Sequence, residues 1–151
     1  MNRRSALLLL ASAAPAALIP LDARASALPK LTVYRDPGCS CCEGWVRHMQ
    51  AAGFAVSIAD DANLDARREA LKVPASMASC HIALADGFAF VGHIPSNDVV
   101  KFLIERPAGA IGLAVPGMPA GSPGMGPEGS GGPYHVMLLS AAAAPAVYAT
   151  H

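Results

Sequence analysis

Cys39-Ser40-Cys41-Cys42 places three thiols within four residues, and a fourth follows at Cys80. A thiolate is both a nucleophile and a metal ligand, so this spacing admits two chemistries. Cys39 and Cys42, three residues apart, can close a redox disulfide. Cys41 is then left over, which a simple redox pair does not need. Three clustered thiolates with Cys80 and His93 nearby instead make a sulfur-rich soft site, the type that selects Cu(I), Zn or an Fe–S cluster. Met118 and Met125 narrow the choice, because thioethers bind Cu(I) or Ag(I) well and Zn poorly. Two bland accounts stand beside this one. The methionines could simply pin a loop to the core by adaptable packing. Two structural disulfides could use all four thiols, although that fits the C-S-C-C spacing poorly.

These residues need elements to hold them. Leu31 to Tyr34 reads as a first strand, and Arg35-Asp36-Pro37-Gly38 turns the chain into the cysteine cluster. Cys42, Trp45, Val46, Met49 and Ala52 then fall on one helical stripe, with Trp45 in the core and Gly53 as terminator. The cluster therefore sits at a helix N-terminus, where free N–H groups and the positive dipole end favour thiolate. Phe54 to Ile58 follows as a strand, and strand, helix, strand predicts a parallel pair. A short helix from Asp60–Asn63 through Leu71 comes next; Asp60-Asp61 begins it and suggests no acid/base pairing.

Asp86-Gly87 between two apolar, β-rich runs predicts a two-residue hairpin turn. Ala85 then pairs with Phe88, which sets Cys80 opposite His93 and His81 opposite Gly92. Opposed Cβ atoms lie ~4.5–5.5 Å apart, close enough for Cys80 and His93 to share one ligand. His81 reads as a satisfied structural histidine first and a ligand second. His48 reads as solvated, and His135 and His151 have no supporting context. Pro95-Ser96 opens a third helix, with Val99, Phe102 and Leu103 inward and Pro107 as its stop. Over residues 108–133, 14 of 26 positions are Gly or Pro, which predicts one long loop with no regular element. Tyr134 to Leu139 and Ala146 to Thr150 read as late strands.

Composition narrows the classes further. Eleven basic and eleven acidic residues in 151 give no net charge, so no basic surface asks for nucleic acid. Aromatics at 5% are too few for base-stacking platforms. The 53% hydrophobic fraction overstates the core, because 31 residues are Ala. Asn2-Arg3-Arg4, the apolar run Ser5 to Pro20 and Ala25-Ser26-Ala27 together predict a signal peptide cleaved after Ala27. Arg3-Arg4 also suits a twin-arginine route, so Sec and twin-arginine export both stand. The expected destination is the periplasm, with no membrane attachment after cleavage. Residues 28–151 are then a single domain with eight basic and ten acidic residues. No phosphate loop, zinc-protease motif or serine nucleophile elbow is present.

The predicted order β-α-β-α-β-β-α, with a cysteine cluster between first strand and first helix, resembles the thioredoxin-like α/β arrangement of a mixed sheet flanked by helices. Thioredoxins place a cis-proline opposite the redox pair, where this chain has Ser79-Cys80. A fourth thiol is therefore expected across from the first three. Tyr34-x-x-Pro37-Gly38-Cys39-x-Cys41-Cys42-x-x-Trp45, Ser79-Cys80-His81, Gly92-His93-Ile94-Pro95 and the run from Gly112 to Met125 resemble the domain-of-unknown-function family 411, which includes CopG-type accessory proteins of bacterial copper resistance. The resemblance implies a thioredoxin-like exported protein that binds copper through Cys39, Cys41 and Cys42 in copper and silver tolerance. It puts Cys80, His81, His93, Met118 and Met125 at further ligand-type positions. Copper as multinuclear Cu(I), copper and silver ions as partners, and other periplasmic copper-handling proteins are the corresponding expectations. A thiol–disulfide oxidoreductase and an Fe–S electron carrier are the competing functions, and whether the chain is a copper oxidoreductase or a metal-binding protein stays open here.

Overall fold

The computed structural model describes residues 28–151, so the signal peptide expected over 1–27 lies outside the described residues. The chain runs β1 (Leu31–Arg35), α1 (Ser40–Ala51), β2 (Val56–Asp60), α2 (Leu64–Ala70), a 3₁₀ turn (Ala75–Met77), β3 (His81–Ala85), β4 (Phe88–Val91), α3 (Ser96–Glu105), β5 (Ala110–Ala114), β6 (His135–Ser140) and β7 (Ala146–Thr150). The strands form one mixed sheet in the order β2-β1-β3-β4-β5-β6-β7. β1 and β2 are parallel, as a strand–helix–strand unit requires, and so are β4 and β5 across α3.

Alternation along the strands divides the core between the two faces of the sheet. On one face Leu31, Val33, Ala83, Ala85, Phe90 and Leu113 pack with Trp45, Val46 and Met49 of α1 and Val99, Phe102 and Leu103 of α3. On the other, Ile82, Ala89, Val91, Ala114 and Leu139 pack with Leu64 and Val73. The β3–β4 hairpin has the expected register, Ala85 opposite Phe88 through Ile82 opposite Val91. Asp86 and Gly87 both adopt positive φ, 49° and 82°, the requirement of a type I′ turn.

The expected element order is corrected at one place. Ala110–Ala114 is a strand, β5, inside the segment expected to be loop throughout, and it lies between β4 and β6. Gly112 is the residue that hid it. At φ 151° it sits at an irregularity in the β5–β6 pairing, and a Cβ there would collide with the Ala89 carbonyl. The glycine that reads as a breaker lets β4 and β5 approach. Leu113, Ala114 and Val115 beyond it are buried. β2 also begins later than expected, at Val56, with Phe54 buried ahead of it.

Candidate metal centre

The turn after β1 delivers the cysteines to the N-terminus of α1. Gly38 takes φ 80°, the Cys39 N–H donates to the Asp36 carbonyl at 3.1 Å, and Cys39 is the N-cap. Arg35 clamps this turn from the end of β1. Its guanidinium donates to Asp60 at 3.0 Å, Glu43 at 3.3 Å and the Cys39 carbonyl at 3.4 Å. Cys42 is fully buried beneath the turn, while Cys39 and Cys41 are partly exposed.

Cys80 enters from the residue before β3 and meets the turn. Its Sγ lies 3.5 Å from Cys42 Sγ and 3.7 Å from Cys41 Sγ, and Cys39 and Cys41 sulfurs are 3.3 Å apart. Cys39 and Cys42 are joined as a disulfide, and Cys41 and Cys80 are free. All four sulfurs lie within 4.8 Å of one another. A second set, Cys80, His81 and His93, meets the same limit, so Cys80 belongs to both.

The hairpin register extends one step past the ladder, with Gly92 N–H donating to the His81 carbonyl at 3.1 Å. Cys80 and His93 therefore face each other, with His93 Nε2 3.2 Å from Cys80 Sγ. His93 Nδ1 lies 2.8 Å from the Pro123 carbonyl, which can only accept. The proton thus belongs on Nδ1, and Nε2 offers its lone pair to the sulfur or to a metal. Burial lowers the His93 pKa, keeping the ring neutral. His81 is fully buried between Trp45, at a ring-centroid distance of 4.5 Å, and His93, at 5.1 Å. Burial, with His93 adding to it, pulls its pKa down to about 3. His81 Nδ1 is 3.4 Å from Cys80 Sγ, while Nε2 has no partner among the described residues. Burial and the neighbouring Cys41 push the Cys80 thiol up to about 12, so without a compensating cation it stays protonated.

The loop after β5 roofs the site. Gly117 N–H donates to the Ala78 carbonyl at 2.9 Å, and Ser79 Oγ donates to the Gly117 carbonyl at 2.6 Å. This ties the loop beside Cys80 and sets Met118 Sδ 4.0 Å from Cys41 Sγ, with the Met118 side 52% exposed. Met125 enters through its backbone: its N–H donates to the Ser122 carbonyl at 2.8 Å, and its carbonyl accepts from Gly121 at 3.2 Å. That turn presents the Pro123 carbonyl to His93. The structure thus gathers Cys39, Cys41, Cys42, Cys80, His81, His93 and Met118, and gives Met125 a part in the turn that orients His93.

Two contributors escaped the sequence. The Pro123 carbonyl is main chain, so no side-chain pattern announces it. His48, expected to be solvated, is half-buried and its Nε2 accepts from the Ser96 N–H at 3.0 Å, capping α3 where Pro95 has no capping side chain. His135 is exposed, 2.9 Å from Thr150, and His151 pairs with Asp98 at 2.7 Å; both lie at the β6–β7 end of the sheet.

Residues 77–125 match the family described as "Protein of unknown function, DUF411". The matched stretch holds Cys80, His81, His93, Met118 and Met125 and begins after the C-S-C-C turn. Two solved structures of a copper resistance protein copG, forms 1 and 2, are similar to this chain. Each has 38% identity and a TM-score of 0.76, covering 82% of this chain and 98% of its own. No curated protein gives a significant match.

Proposed function

The chain belongs to the DUF411 family of CopG-type proteins, and from that premise we propose that it is a periplasmic Cu(I)-binding protein of copper and silver tolerance on a thioredoxin-like scaffold. One observation supports this above the rest: four cysteine sulfurs within 4.8 Å of one another, with His93 on the fourth. So many thiolates in a half-buried pocket repel each other unless a cation sits among them. Soft monovalent copper suits that donor set, and an adjacent thioether suits it further.

Cys39, Cys41, Cys42 and Cys80 form the thiolate core, and bridging thiolates would let it hold more than one Cu(I). His93 offers Nε2, held in place by the Pro123 carbonyl. Met118 stands over the exposed side beside Cys41, His81 is buried against Cys80, and Met125 holds the turn that carries the Pro123 carbonyl. The disulfide between Cys39 and Cys42 occupies two of the four sulfurs, so full loading requires its two-electron reduction. Residues 1–27 serve as the cleaved leader, by the Sec or twin-arginine route.

Anaerobic titration of the reduced chain with Cu(I), followed by native mass spectrometry, tests the assignment. Wild type takes up copper, and Cys41→Ser and Cys80→Ser take up less. Absence of uptake, or a Cys41→Ser chain that binds as wild type does, sinks the site. The Cys39–Cys42 disulfide supports a second reading, thiol–disulfide exchange with protein substrates. That reading requires reduction of a model disulfide such as insulin by the copper-free chain.

A further inference from the structure

The four sulfurs are not equivalent. Cys42 is fully buried, and Cys80, although partly exposed as Cys39 and Cys41 are, touches the two buried histidines, whereas Cys41 has Met118 beside it and Cys39 for its neighbour. The observed disulfide joins one sulfur of each kind, Cys39 to Cys42. The free Cys80 sulfur stands 3.5 Å from the Cys42 end of that bond. Thiol–disulfide exchange needs an attacking sulfur at such a position and a leaving sulfur whose thiolate is the better tolerated. Cys39 meets the second condition, because it is the N-cap of α1, partly exposed and beside the positive end of the helix.

We infer that Cys80 is an internal resolving thiol, and that exchange between two disulfide isomers sets which sulfurs face a metal ion. Cys80 must first give up its proton; its Sγ then attacks Cys42 Sγ, the Cys39–Cys42 bond breaks, and the Cys42–Cys80 bond forms, so the exchange quickens as pH rises. The electron pair leaves on Cys39 Sγ, and the proton that Cys80 gives up ends there. No external oxidant or reductant is consumed. The new disulfide is the one against the histidines. It leaves Cys39 and Cys41 as a free pair 3.3 Å apart, with Met118 Sδ 4.0 Å from Cys41. Two thiols and a thioether at the surface form a small site for one soft monovalent ion. In the observed isomer, Cys41 would be the only free thiol beside Met118. The singly oxidised chain thus keeps a metal site, and a partner could reach it without entering the pocket.

This inference deepens the copper reading and rests on it for its biological meaning, yet its chemistry is tested without copper. The full chain is reduced, reoxidised with one equivalent of diamide, blocked at acidic pH with N-ethylmaleimide and digested with trypsin. Cys39, Cys41 and Cys42 share the peptide Asp36 to Arg47, and Cys80 lies in Val73 to Lys101. An internal Cys39–Cys42 bond therefore stays within one peptide, while a Cys80 bond joins two. Wild type and Cys41→Ser are expected to give both products, and Cys39→Ser mainly the joined pair. The pair is lost in Cys80→Ser. Complete alkylation of Cys80 with no joined pair in wild type and Cys41→Ser overturns the exchange.

Silver(I) alone then probes the surface site in singly oxidised chains. Cys80→Ser, locked as Cys39–Cys42, should bind it about tenfold or more weakly than wild type, the scale on which a lost metal-site partner costs affinity. Equal binding overturns the metal half of the inference. Cu(I) uptake by the reduced chain involves no disulfide, so that reading and this one can fail separately.

Discussion

In the metal-free chain, Cys80 is a thiol because burial and Cys41 both oppose its charge, pushing its pKa up to about 12. A bound cation reverses that balance, so metal loading must expel the proton. Cu(I) loading of the reduced chain at pH 7 is therefore expected to release protons into a weakly buffered solution, and Cys80→Ser to release fewer. Equal release by the two would place Cys80 outside the centre. His81 gives a second, metal-independent test. Its folded pKa, about 3, lies below the ordinary 6.5 because burial disfavours the imidazolium. The unfolded chain then binds the extra proton first, so this contribution is whole above pH 6.5 and is lost as pH falls toward 3. In the metal-free chain, the loss is steepest through the middle of that window. The urea midpoint should fall between pH 7 and pH 4.5, and His81→Gln should flatten the fall. A midpoint independent of pH, or an unchanged fall in the variant, contradicts a neutral buried His81.

At the scale of elements, the loop over 116–133 and helix α1 fit together through two glycines. A Cβ on Gly124 would stand 2.5 Å from the Trp45 amide nitrogen, and one on Gly44 would stand 2.8 Å from Gly124 Cα. Gly124 also holds φ 85°, which a side chain resists. Gly124→Ala should cost roughly 1–3 kcal/mol of stability and move the neighbouring Pro123 carbonyl off His93. Urea unfolding reads the first effect, and weaker Cu(I) uptake reads the second; a variant unchanged in both would show that the loop does not roof the site. Most of this arrangement was legible where local chemistry dictates it. Asp86-Gly87 specified both the turn and the register, and through the register the Cys80–His93 pair. Cys42, Trp45, Val46 and Met49 marked the buried stripe of α1. β5 was illegible because Gly112 serves close approach between strands, while in sequence it is indistinguishable from the glycines of the loop that follows. The capping role of His48 and the Pro123 contact depend on where distant elements meet, which spacing along one chain does not reveal.

The whole molecule brings its chemistry to one end of the sheet. β1 ends at Arg35 and the cysteine turn, β3 begins just after Cys80, β4 ends just before His93, and the loop beyond β5 returns with Met118. Strands of opposite direction thus deliver sulfur and imidazole from segments far apart in sequence to one mouth. Trp45 anchors the arrangement from below, its indole N–H donating to the Ile94 carbonyl at 2.8 Å and its ring against His81. Such an assembly makes a claim about ligand type as well as uptake. Copper K-edge X-ray absorption on the reduced, Cu(I)-loaded full chain tests it most directly. Sulfur should dominate the copper environment, with at most a minor nitrogen contribution from histidine, and the edge should be that of Cu(I). A copper environment of nitrogen and oxygen alone would contradict the thiolate centre.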